Sequence, residues 1–346
     1  MDNNRIFEKI RQIKNQLGKE LLILTHHYQR KEIVEIGDFS GDSFGLSQKA
    51  AANADARYIV FCGVHFMAES AAILAGPHQT VQIPDMRAGC PMAEMADLIE
   101  VEKAWDELIE VSGRDKITPV VYMNSDVELK AFTGRKHGTI CTSSNALLAM
   151  NWAFDKGEKI FFLPDQHLGR NTAKKMGIDP AEIILWDRGK PLGGNSADAV
   201  SKARLILWDG YCLVHSRFTV DHINKMREDY SEAKIIVHPE CAQEVVDMAD
   251  AAGSTGFIVK YVKEALEGAT IIIGTEINLI DRLSHEYPNK RILPLTRSLC
   301  ANMFKISPEK LLKTLENIGE YNVVTISENL KNDARKALNN MLALAA

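Results

Sequence analysis

One order of parts, met first at residues 21–49, returns twice along the 346 residues, so the chain must fold as related units. The apolar run 21–25 has strand length and ends in His26, His27 and Tyr28. Ser43 follows in a turn, SGDS, ahead of the helical pattern Phe44, Leu46, Ala50 and Ala51, which Asp42 or Ser43 can cap. The same parts recur where Val120 and Val121 lead into Tyr122, Met123 and Asn124, with Ser143 in CTSSNA. They recur again where residues 235–237 lead into His238, Pro239 and Glu240, with Ser254 and Thr255 in GSTG. The serine lies 17 residues after His26, 21 after Tyr122 and 16 after His238.

A second apolar run follows each serine, at 58–62, 160–163 and 271–273, and ends in a polar turn that opens a helix: GVHFMAES, PDQHLGRN and GTEINLIDRL. Each third then carries a cysteine in a short turn: Cys90 in AGCPM, Cys212 in DGYCLVH and Cys300 in RSLCANM. These lie 64, 90 and 62 residues beyond the matching strand end, which points to an insertion of a helix plus a loop within 177–207. Residues 177–194 read as a hairpin-like loop or a lid.

The expectation is three α/β repeats. Residues 1–113 hold the first, with an N-terminal helix ending at Gly18 and a long amphipathic helix over 92–111 after Cys90. Residues 114–230 hold the second, and 231–346 the third, with a C-terminal helix after Ser327. Parallel sheets bind ligands outside the carboxyl ends of their strands. Three units facing one axis would bring three cysteines and three polar sets together. Duplication without a shared site is the plainer alternative, but the repeated features are polar and sit at strand ends, where packing does not require them.

Composition removes several classes of function. With 46% hydrophobic and 25% charged residues and a net charge of −5, the chain is an ordinary globular protein without a basic stripe for nucleic acid. No apolar run reaches membrane-spanning length, and the N-terminus is amphipathic rather than signal-like, which predicts a cytoplasmic protein. Six cysteines without a CxxC pair do not form a disulfide framework, so they are free thiols or metal ligands.

Three thiolates on a four-iron cluster would leave one iron open to substrate, whereas zinc more often takes closely spaced pairs. Cys62 belongs to the core, Cys141 fits either role, and Cys241 reads as a helix cap. Cys90, Cys212 and Cys300 differ because they occupy equivalent places in the repeats. Histidines 26, 27, 65, 167, 215 and 238 fall at or just beyond strand ends, which favours a shared polar site over scattered structural roles. Glu240 suits acid–base work in a partly dry site. The serine turns can simply cap helices, but three in register make a multiply anionic ligand credible. GxGxxG, GxxxxGK[ST] and HExxH are all absent from the sequence, so a nucleotide cofactor lacks support.

Taken together, HHYQ, GDSFGLSQKA, VFCGVHFMAE, AGCPMA, YMNSDVELKA, CTSSNA, LPDQHLG, GYCLVH, VHPEC, GSTGFIV, GTEINLI and CANM make the chain resemble the quinolinate synthase family almost end to end. The resemblance implies three pseudo-symmetric three-layer αβα domains with short parallel sheets, set as a triangle around a central site. It implies a [4Fe–4S] cluster held by Cys90, Cys212 and Cys300. It further implies that His26, Ser43, Tyr122, Asn124, Ser143, His238, Ser254 and Thr255 bind carboxylates and phosphate, and that Tyr28, His215 and Glu240 transfer protons. The implied reaction, of transferase type, joins iminoaspartate and dihydroxyacetone phosphate on the way to NAD. The implied partners are those two small molecules and, functionally, an L-aspartate oxidase that makes the labile imine. Nucleic acid and membrane are not among them, and a homodimer is an allowed assembly. Two other readings remain open at this stage: a cluster-bearing sensor that has kept the fold without turnover, and a metal-free sugar-phosphate enzyme.

Overall fold

In the computed structural model, which describes residues 3–113 and 116–344, thirteen strands form three separate, wholly parallel sheets. The first contains β1 (Leu21–His26), β2 (Phe39–Gly41), β3 (Tyr58–Cys62) and β4 (Thr80–Gln82), in the order β2-β1-β3-β4. The second contains β5 (Ile117–Tyr122), β6 (Thr139–Cys141), β7 (Lys159–Leu163), β8 (Ile183–Trp186) and β9 (Leu205–Trp208), in the order β6-β5-β7-β9-β8. The third contains β10 (Lys234–Val237), β11 (Ala251–Ala252), β12 (Thr270–Gly274) and β13 (Arg291–Pro294), in the order β11-β10-β12-β13. Helices cover the sheets, so the central strands are buried on both faces and read as unbroken apolar runs rather than alternating ones.

This shared order explains where the polar strand ends lie. In every sheet the chain steps from the first strand to one neighbour, then returns to pair the next strand on the other side. The first strand therefore borders the point where connections diverge, and a crevice opens at its carboxyl end. His26, Tyr122 and His238 stand at the ends of β1, β5 and β10. The cysteine turns follow β4, β9 and β13.

Three local expectations change. The insertion is neither hairpin nor lid: β8 pairs β9 in parallel, Ile183 with Leu205 through Trp186 with Trp208, and helix Ala197–Lys202 makes the crossover. Parallel neighbours cannot be joined by a tight turn, so the extra residues build one more strand at the sheet edge. The helix expected over 92–111 is broken into Pro91–Glu94 and Leu98–Ser112, because Asp97 caps the second piece by accepting from the N–H groups of Ile99 and Glu100. Ser143 does not open a helix directly. It lies in the turn ahead of helix Ala146–Phe154, whose first flanking residue is Asn145.

The N-terminal helix Asn3–Leu17 ends at Gly18, whose φ of +51° is the left-handed conformation that closes helices. At the other end, helix Glu328–Ala343 buries Ala334, Ala337, Leu338 and Met341. It lies against helix Val127–Arg135, β6 and helix His65–Leu74, so the last stretch of chain covers the first two units rather than the third. The approach is close: a Cβ on Gly134 would fall 1.9 Å from the carbonyl oxygen of Asp333. Among the described residues no helix is long and apolar enough to cross a membrane.

Candidate active site

A cavity of about 310 Å³ opens where the carboxyl ends of the three sheets meet, and all three units line it. Cys90, Cys212 and Cys300 are on its wall. The other three cysteines are not: Cys62 and Cys141 are buried in strands, and Cys241 is buried with its thiol near the carbonyl of Gly274. Cys241 is thus a core residue and not a helix cap, since helix Gln243–Met248 begins after Ala242.

The sulfur environments repeat as well. Backbone N–H groups two and three residues ahead point at Cys90, from Met92 and Ala93, and at Cys300, from Asn302 and Met303; that of His215 points at Cys212. Burial pushes each thiol up, Cys90 to about 12, and the negative charge of its neighbours adds to this. Three sulfurs on one wall, each met by N–H donors and none paired in a disulfide, form a donor set suited to an iron–sulfur cluster and poorly suited to isolated thiolates.

The histidines divide. His26, His215 and His238 converge, whereas His27 turns away and accepts a hydrogen bond from Arg282 Nη2 at 3.1 Å. His65 lines a separate cleft, and His167 is absent from the cavity wall. The Tyr28 N–H donates to His26 Nδ1 at 3.1 Å, and the Glu240 N–H donates to His238 Nδ1 at 3.3 Å. The same two-residue loop in two repeats thus fixes the same tautomer, with the hydrogen on Nε2 available as a donor to the cavity both rings line. Burial lowers both to about 3, so both are neutral near pH 7.

A chain of polar groups runs behind them. Tyr28 Oη lies 2.7 Å from Thr275 Oγ1, which lies 3.0 Å from His215 Nε2, and His215 Nδ1 lies 2.7 Å from Glu240 Oε2. Tyr122 donates a short hydrogen bond to Glu240 Oε1. Because a carboxylate only accepts, His215 carries its hydrogen on Nδ1 and receives one from the Thr275 hydroxyl on Nε2. Burial opposes charge on Glu240, but the hydrogen bonds it accepts from His215 and Tyr122 hold the carboxyl below its ordinary range. Burial and the charge of Glu240 push Tyr28 and Tyr122 up, so both remain protonated. Cys212, His215 and Glu240 also stand close enough together to hold a metal ion, but His215 and Glu240 already satisfy one another.

Ser43, Asn124, Ser143 and Thr255 also line the cavity. Asp42 caps helix Ser43–Ala52 by accepting from Gly45 N at 2.8 Å, which leaves the Ser43 hydroxyl uncommitted. Ser254 does the reverse. It accepts from Phe257 N as the cap of helix Thr255–Glu264 and is not on the wall.

Several residues on or behind this wall carried no assignment in the sequence reading. Thr275 completes the polar chain. Arg217 is the one lysine or arginine on the cavity wall among the described residues. Asp165 and Glu276 are buried helix caps, and Glu276 also holds a cysteine turn, its Oε1 accepting from the Cys300 N–H at 3.3 Å. The turns PDQ and GTE after the second strands, with an acid just before a helix, carried that signal.

A family model described as Quinolinate synthetase A protein matches residues 8–343. Proteins named quinolinate synthase are similar over nearly the whole chain. That of Corynebacterium glutamicum is 47% identical over 347 residues, covering 99% of this chain and 88% of its own length. That of a Geobacillus species is 49% identical over 342 residues, covering 97% and 93%. That of Geobacillus kaustophilus is 46% identical over 351 residues, covering 100% and 95%.

Proposed function

The chain belongs to the quinolinate synthetase A family, and from that membership we propose that it joins iminoaspartate to dihydroxyacetone phosphate, releasing phosphate and water, to form quinolinate for NAD synthesis. The observation that carries the reading is one cavity lined by Cys90, Cys212 and Cys300 and backed by the chain Tyr28–Thr275–His215–Glu240–Tyr122.

In this reading the three cysteines hold a [4Fe–4S] cluster, which when bound offers an open iron as a Lewis acid toward a hydroxyl or carbonyl oxygen. The chain's own residues do the rest. His26 and His238, each with its Nε2 hydrogen, donate to substrate carboxylates without adding charge. Ser43 and Thr255 supply hydroxyls at helix N-terminal ends, where anions are favoured, and Ser143 supplies one from the turn ahead of helix Ala146–Phe154. Asn124 and Tyr122 orient the substrate against the strand ends, and Ser254 holds the Thr255 turn. His215 takes a proton at Nε2 by way of Tyr28 and Thr275 while the ionised Glu240 supports the imidazolium at Nδ1, and the same path returns it, so a carbon acid can be deprotonated and a departing hydroxyl protonated at one site. We place the activity in the cytoplasm, with an L-aspartate oxidase as the source of the imine.

The test is iron and sulfide content with the visible spectrum of anaerobically reconstituted protein, together with quinolinate formation from oxidase-generated imine. About four irons per chain, lost in Cys90→Ser, Cys212→Ser and Cys300→Ser along with product formation, is the expected result. Full turnover by Cys212→Ser would overturn it.

A further inference from the structure

One face of helix Ile277–Glu286, in the third unit, is turned to the loop that follows β1 in the first. Thr275, just ahead of the helix, meets the Tyr28 hydroxyl at 2.7 Å. Asn278 donates from Nδ2 to the Tyr28 carbonyl oxygen at 3.1 Å, and Arg282 donates from Nη2 to His27 Nδ1 at 3.1 Å. Positions 275, 278 and 282 follow helical spacing, and all three side chains are buried.

Asn278 has a second partner. Its Nδ2 also lies 3.2 Å from Glu276 Oε1, the oxygen that accepts the Cys300 N–H at 3.3 Å. One amide and one carboxylate therefore join the Tyr28 carbonyl of the first unit to a cysteine turn of the third. Capping does not ask for this. Glu276 caps the helix with its other oxygen, Oε2, which accepts the Asn278 backbone N–H at 2.7 Å, so any side chain at 278 would serve. Packing does not ask for it either, since a buried amide is tolerated only when hydrogen-bonded and an apolar side chain avoids the desolvation.

The sheet leaves Tyr28 unsupported. His26 is the last residue of β1, in register with Gly41 of β2, and Tyr28 lies two residues beyond it. The polar chain is continuous only if the Tyr28 hydroxyl meets Thr275, which reaches His215 at 3.0 Å. Asn278 itself is not on the cavity wall.

We propose that Asn278 is a positioning residue for the reaction: by holding the Tyr28 carbonyl, and by sharing Glu276 with the Cys300 turn, it sets the Tyr28 hydroxyl against Thr275 and His215. The inference rests on the proton-transfer reading above.

The experiment measures kcat, KM and iron content of the reconstituted full chain carrying Asn278→Ala. Turnover per cluster should fall about tenfold, since a misplacement of about 1 Å can cost about 100-fold. KM should stay within about threefold, because β1 still holds His26, and iron should remain at about four per chain. Asn278→Asp, alike in shape but with no N–H to give, should lose at least as much. A merely structural side chain would lower the melting temperature and leave kcat per cluster at the wild-type value, which overturns the proposal. A rise in KM alone, or loss of iron, also overturns it, because the residue would then serve binding or the cysteine turn. If Asn278→Ala does not fold, Asn278→Asp decides by the same readouts. A wild-type chain that forms no quinolinate from oxidase-generated imine instead removes the reading beneath, a result distinct from a variant with unchanged turnover.

Discussion

Lowering the pH from 7 to 5 sets two groups of buried residues against each other. Three histidines that fold into places that resist a proton lose stability, while Glu276 and Glu69, raised mainly by burial to about 8 and about 7, gain it because their folded carboxyls take up protons over the same range. His26, His27 and His238 are each lowered from 6.5 to about 3, in every case mainly by burial, with the Arg282 charge adding at His27. The unfolded imidazole takes a proton below pH 6.5, while the folded one does not until about pH 3. Between those limits the unfolded state binds more protons, so stability falls as pH falls. Each site loses about 1.4 kcal/mol per pH unit in that window, hence roughly 2 kcal/mol at pH 5 and roughly 6 kcal/mol for three. That is comparable with the whole stability of an ordinary domain, about 5–15 kcal/mol. Urea unfolding followed by circular dichroism at pH 7, 6 and 5 measures it. His27→Asn separates this cause from the cavity, since His27 faces Arg282 and its Nδ1 can be replaced by an amide oxygen. Between pH 7 and 5 the stability of the variant should change by roughly 2 kcal/mol less in the unfavourable direction than that of wild type. The same pH dependence in the two proteins would refute the argument.

Other perturbations follow from single contacts. Glu240→Gln should keep its iron but lower kcat by about 100-fold or more, as expected for lost acid–base catalysis; loss of iron would show that the residue serves the cluster instead. Ser254→Ala should cost about 1 kcal/mol in chemical denaturation, while Ser43→Ala, relieved of capping by Asp42, should change stability by less than about 0.5 kcal/mol. Equal losses would mean that the two serines play one role. Gly134→Ala should destabilise by about 1–3 kcal/mol or more and expose helix Glu328–Ala343 to proteolysis, because the new methyl meets the Asp333 carbonyl. An unchanged melting temperature would mean that the helix shifts at no cost.

Much of the site was legible in the sequence because parallel sheets impose an order on chemistry. Polar residues that end an apolar run can only lie at a strand's carboxyl edge, and repetition of that signal marked His26, Tyr122 and His238 together. Equivalent placement likewise separated Cys90, Cys212 and Cys300 from the three core cysteines. The serine turns were less transparent. Ser43, Ser143 and Ser254 look alike as sequence, yet Asp42 relieves the first of capping, Asn145 stands between the second and its helix, and the third spends its hydroxyl on Phe257.

What the sequence alone determined is what periodicity and local chemistry can carry: strand runs, helix starts, the repeat, the insertion and the three cysteines. Tertiary structure decided what depends on partners distant along the chain. Thr275 becomes part of a hydrogen-bonded chain only because Tyr28 and His215, 247 and 60 residues away, close on its hydroxyl. The inserted residues become an edge strand because β9 offers an open edge. The last helix covers the first two units because Gly134 lets its backbone approach. The tuning of His26 and Glu240 arises in the same way, since burial and neighbouring charge are properties of assembled surroundings and no short stretch of chain encodes them.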